Sequence, residues 1–151
     1  MGKNGMKGKK GTFITVISLF LIIAVPFAIV LCSGTSYLKI VKMNWDISLP
    51  ANGKEIYQAE SGASSHGDGL RYHVFQYKTD LTLKGLVPGQ DFSQVDTGKI
   101  SWILSQLHVK KEYYPDFNHI TFSAVQRHSD SSQLYLCYSP QKTLYVIEAF
   151  Y

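Results

Sequence analysis

Gln133-Leu-Tyr-Leu-Cys-Tyr138, Ser139-Pro-Gln-Lys142 and Leu144-Tyr-Val-Ile-Glu-Ala-Phe-Tyr151 decide what kind of fold this chain can make. The first and last of these runs are dominated by aromatic and aliphatic side chains that suit a pleated surface, and a short proline-containing linker divides them. They read as a β-hairpin. With a period of two, Leu144, Val146 and Phe150 fall on one face, and Tyr145, Ile147 and Tyr151 on the other. Ile120 to Arg127, joined through His128-Ser-Asp-Ser-Ser132, adds a third strand.

Working towards the N-terminus, Leu70 to Tyr77 alternates cleanly. Leu70, Tyr72, Val74 and Gln76 point one way, and Arg71, His73, Phe75 and Tyr77 the other. Glu55 to Glu60 is a weaker strand before it. Phe92 to His108 carries the helical pattern, because Ile100, Ile103, Leu104 and Leu107 recur at i, i+3, i+4 and i+7. Ser93 or Asp96 can cap its start. Thr79 to Gln90, with Gly85, Pro88 and Gly89, reads as a loop. The order β-β-α-β-β-β predicts an α+β domain: a small antiparallel sheet with one packed helix. One sheet face meets that helix. The tyrosine-rich other face is left requiring a cover, which a loop, the membrane surface or a partner could supply.

Before this domain, Gly11 to Leu38 contains no charged side chain, and Lys3, Lys7, Lys9 and Lys10 precede it. Thr12 to Cys32 is a mostly aliphatic run; at about 1.5 Å per residue a helix of that length crosses a hydrocarbon core of roughly 30 Å. The expected layout is a basic cytoplasmic tail (1–11), a transmembrane helix (12–32), a connector (33–43) that can continue the helix, and an extracytoplasmic domain (44–151). The run is longer than a signal-peptide core, and no Ala-x-Ala site follows it. Leu31 stands where a lipoprotein signal has a small residue, so Cys32 reads as an ordinary apolar residue of the span. Pro26 lies within the span, where membrane helices tolerate it. Met6 stands where N-myristoylation signals carry Ser or Thr. The lysines place the N-terminus inside and the C-terminal domain outside the plasma membrane. This layout is similar to that of the small single-pass proteins of Gram-positive bacteria.

The net charge of +4 belongs to the tail. All eleven acidic residues lie beyond the apolar run, with eleven of the fifteen basic ones. The domain therefore has no net basic excess to suggest a nucleic-acid partner. It holds one cysteine, Cys137, inside an apolar run, so neither a disulfide scaffold nor a Cys/His metal spacing is present, and the thiol reads as buried and inert. No cofactor motif occurs.

Two groups of residues are candidate sites. Ser64-Ser65-His66-Gly67-Asp68-Gly69, followed by Arg71 and His73, can be a hairpin connection, since Asp-Gly favours tight turns. The same cluster can place His66 as a base, Asp68 as its orienting carboxylate and Arg71 as a binding residue. Tyr113, Tyr114, Tyr138, Tyr145 and Tyr151 can instead form an interface patch, since tyrosine combines a large apolar area with a polar end. His108, His119 and His128 lack the spacing of a metal set. The function expected on these grounds is a non-enzymatic, membrane-anchored protein-binding module, such as an immunity protein against a secreted toxin or an accessory subunit of a membrane complex. Its partners would be the bilayer, through residues 12–32, and a protein at the outer membrane face. The alternative is a small extracytoplasmic hydrolase or metal-dependent enzyme using His66, Asp68 and His73.

Overall fold

The computed structural model describes residues 36–62, 68–83 and 95–151. The expected span, with Thr12, Pro26 and Cys32, lies outside these residues, as does His66. Among the described residues no helix is long and apolar enough to cross a membrane.

The elements in chain order are α1 (Tyr37–Trp45), β1 (Lys54–Glu60), β2 (Gly69–Gln76), α2 (Thr97–Gln106), two 3-10 turns (Lys111–Tyr113 and Phe117–His119), β3 (Phe122–Arg127), β4 (Gln133–Ser139) and β5 (Thr143–Phe150). The five strands form one antiparallel sheet in the order β1-β2-β5-β4-β3. The α+β class and the strand positions agree with the sequence pattern. The pairing of β2 with β5 over eight positions, Gly69↔Phe150 to Gln76↔Thr143, makes the last strand the centre of the sheet. Lys142 and Ser131 adopt left-handed backbone in the β4–β5 and β3–β4 connections, which lets these short links turn within a residue or two.

The expected helix is shorter than its apolar period suggests, starting at Thr97. Asp96 caps it, its carboxylate accepting from the Lys99 amide at 2.9 Å. At the other end, the amides of His108 and Val109 bond back to the Ser105 and Leu104 carbonyls, with His108 in the left-handed region (φ 51°). This is a Schellman ending with histidine where glycine is usual, and Val109 and Leu104 are both buried beside it.

Two helices pack on the sheet where one was expected. α2 lies on the tyrosine-bearing face, where Ile100, Ile103 and Leu104 join Tyr72, Val74, Tyr135, Cys137 and Ile147 in one buried cluster. The aliphatic face, with Leu134, Leu136, Leu144 and Val146, is covered from within the chain by α1. Leu38, Val41 and Trp45 form a buried stripe at i, i+3 and i+7. The Trp45 carbonyl accepts from Gln126 of β3 at 3.0 Å, and the Trp45 ring lies 5.8 Å from that of Phe150. Burying a large apolar side chain contributes roughly 1.5–3 kcal/mol, so each of these helices is held chiefly by its stripe. Ile47 and Leu49 extend the buried segment beyond Trp45.

Candidate functional site

The residues singled out from the sequence separate into three places. Arg71 and His73 occupy the α1 face of β2. His73 is 1% exposed; its Nδ1 meets Glu55 Oε1 at 2.5 Å and its Nε2 lies 3.4 Å from Glu60 Oε1. Both glutamates stand on the edge strand, either side of a bulge between Glu55 and Tyr57. Burial lowers the proton affinity of His73, and the two carboxylates oppose that effect. Arg71 is half-buried, its guanidinium 4.9 Å above the Phe150 ring. Asp68 is exposed at the entrance to β2. The strands either side of the Ser64–Gly69 connection do form the expected antiparallel pair, with Ser61 N donating to Leu70 O at 3.0 Å.

Tyr113, Tyr114 and Tyr145 lie on the opposite face, all half-buried. The Tyr113 ring stacks on Tyr57 at 4.1 Å, and its carbonyl accepts from the Tyr72 hydroxyl at 2.5 Å. Lys111 covers Tyr114 at 4.3 Å. Tyr138 belongs to the α1 face, buried, with its hydroxyl accepting from the Leu81 amide at 3.2 Å. Tyr138 and Tyr145 therefore do not share a patch: they are one register step apart on paired strands and point to opposite sides.

Between the start of α2 and the second 3-10 turn a groove of about 380 Å³ opens, lined by Val95, Thr97, Phe117, Ile120, Ser123 and Cys137. Cys137 is nearly inaccessible, and burial pushes its thiol up to about 12. It is a protonated wall residue. Among the described residues no group of three or more His, Cys, Asp or Glu side chains could hold a metal ion.

Among the described residues the most exposed aromatic surface pairs Tyr151, a tyrosine of the expected patch, with Trp102, which sequence reasoning did not pick out. Trp102 on α2 and Tyr151 after β5 are each 51% exposed. Lys99 stands one turn before Trp102, and its ammonium lies 5.2 Å over the Tyr151 ring while donating to Gln133 Oε1 at 2.8 Å. Exposed Arg127 pairs in register with Gln133 at the same end of the sheet. A signal existed: Trp102 falls off the Ile100–Ile103–Leu104–Leu107 stripe, so its helical position already placed it in water. Asp68 precedes Gly69, the partner of Phe150, so it stands at this end of the sheet too.

Comparisons with protein-family models, with curated proteins and with solved structures give no match for this chain.

Proposed function

We propose that the chain is a protein-binding module held at the outer face of the plasma membrane, with residues 12–32 spanning the bilayer and the lysine-rich N-terminus inside. The observation that carries the binding reading is the exposure of Trp102 and Tyr151, both half in water, with Lys99 over the Tyr151 ring and Arg127 exposed at the same end of the sheet. Trp102 and Tyr151 are the most exposed aromatic side chains among the described residues, and Trp, Tyr and Arg are the residues that dominate binding hot spots. The rings would bury against a partner, and the two cations would favour a carboxylate-bearing surface and steer its approach. An immunity protein facing a secreted toxin and an accessory subunit of a membrane complex are the two concrete forms. The hydrolase alternative draws less support, because His73 is enclosed between Glu55 and Glu60.

Photo-crosslinking side chains placed at positions 102, 151 and 43 of the membrane-embedded full chain test this. Met43 is 82% exposed on α1, away from the aromatic surface, and serves as the control. One discrete adduct is expected from positions 102 and 151, lost on Lys99→Glu and absent from position 43. Equal adducts from all three positions, or none from 102 and 151, would overturn the reading.

A further inference from the structure

α1 is fastened to the sheet by polar contacts set among apolar ones. Glu148, on the central strand, is 0% exposed and lies on the face that meets α1. Its Oε1 accepts from the Trp45 indole N–H at 2.5 Å and from Asn44 Nδ2 at 3.3 Å. Among the described residues nothing hydrogen-bonds its buried Oε2.

The charged and titratable groups around it are few. On β2, Arg71 stands directly opposite Glu148, yet its guanidinium turns aside over Phe150. His73, two residues further along β2, is taken up by Glu55 and Glu60. On β4 the opposing residue is Leu134. From the β3–β4 connection His128 lies against the Trp45 ring at 4.2 Å, and β3 contributes neutral Gln126. Lys39 and Lys42 of α1 are exposed. Among the described residues no cation forms an ion pair with Glu148.

A carboxylate so placed would lose most of its hydration and keep one oxygen unsatisfied. The two donors strengthen towards an ionised acceptor, but desolvation outweighs them, and burial pushes the group up to about 8. With its proton the carboxyl still accepts from Trp45 and Asn44.

We propose that Glu148 is a proton-operated latch: while the carboxyl keeps its proton α1 stays closed on the sheet, and loss of the proton loosens the Trp45–Asn44 contact and lets the last turn of α1 lift. The latch concerns α1 and the sheet alone, and it stands or falls separately from the anchor and from the binding surface.

Trp45 itself reports on the latch. In the full chain in detergent micelles, with Trp102→Phe leaving Trp45 as the sole tryptophan, emission is followed from pH 6 to 9.5 beside far-UV circular dichroism. The expected result is a red shift with a midpoint near 8 while the sheet signal persists, and its disappearance in Glu148→Gln. If Glu148→Gln fails to fold, Glu148→Met, of similar shape and without charge, serves the same purpose. A carboxyl-carbon NMR titration of the unmutated protein reads the proton directly. Flat emission, a transition that survives at position 148 but vanishes in His128→Asn, or a Glu148 carbon that titrates in the ordinary carboxylate range would each overturn the latch.

Discussion

His73 Nδ1 and Glu55 Oε1 meet at 2.5 Å across the first two strands, so the sheet's outer strand is pinned by a buried ring. The bulge between Glu55 and Tyr57 shifts the register there, and it leaves Glu55 and Glu60 flanking the same histidine. A bulge and a row of charges also discourage this edge from pairing with another chain.

Removing Glu55 leaves a buried ring nitrogen short of its nearest partner. Glu55→Ala should lower stability by about 1–3 kcal/mol, whereas Glu60→Ala, at a longer and more exposed contact, should stay within about 0.5–1 kcal/mol. Urea midpoints at constant slope distinguish the two. Equal losses would assign the bridge to both glutamates alike.

Glu148 predicts an alkaline decline in stability. Its folded-state value of about 8 lies above the ordinary 4.5, so between these values the native state keeps a proton that the unfolded chain has released. Stability from this group is therefore largest at low pH and falls as pH rises to about 8, then levels off. His73, held low by burial, acts in the opposite sense below its ordinary value of 6.5, so the comparison belongs above neutrality. Between pH 7 and 9 the unmutated protein should lose about 1.4 kcal/mol on this account, and Glu148→Gln should lose none of it. Denaturant unfolding at both pH values checks this.

Gly53 is required by a close approach. A Cβ there would sit 2.6 Å from Cζ of Tyr77, whose hydroxyl donates to the Pro50 carbonyl at 2.9 Å. Gly53→Ala should cost about 1–3 kcal/mol through this overpacking. In a Tyr77→Leu background the same change should cost distinctly less, and a thermal-melt double-mutant cycle would show the coupling. An unchanged cost in that background points to backbone conformation instead.

Trp102 and Ile103 are neighbours with opposite assignments. Ile103→Ala opens the fully buried cluster under α2 and should cost about 2–5 kcal/mol. Trp102→Ala should change stability by no more than about 0.5 kcal/mol while weakening the crosslink from position 151. A large melting-point drop in Trp102→Ala would place the ring among the structural residues.

His108 sits in left-handed backbone at the end of α2 with nothing but the cap to explain it. His108→Gly should raise stability by about 0.5–1 kcal/mol, since glycine adopts this conformation without a Cβ penalty. A loss on calorimetry would show that the imidazole makes a contribution of its own.

Much of the fold was legible along the chain because it depends on local spacing. The alternation of Leu70 to Tyr77 and the hairpin linkers foretold strands, and the stripe from Ile100 to Leu107 foretold a helix. α1 escaped because it straddles the expected boundary: Leu38 and Val41 fall in the connector read as an extension of the membrane helix, and Trp45 in the domain beyond it. The candidate site was less legible. Whether a tyrosine is buried or presented depends on what lies over its strand, and Tyr138 and Tyr145 part company for that reason.

The sequence by itself determined an antiparallel α+β domain, a helix on the Ile100–Leu107 stripe and the confinement of excess positive charge to the N-terminal lysines. These follow from periods of two and 3.6 residues and from composition, which need no knowledge of distant contacts. The tertiary structure decided that β5 is central, that α1 covers the aliphatic face and that Glu148 lies dry beneath Trp45, 103 positions away. It also decided that Lys99 and Tyr151 share a surface. Such relations are set by which faces must be buried together, and that is a property of the packed chain, not of any window along it.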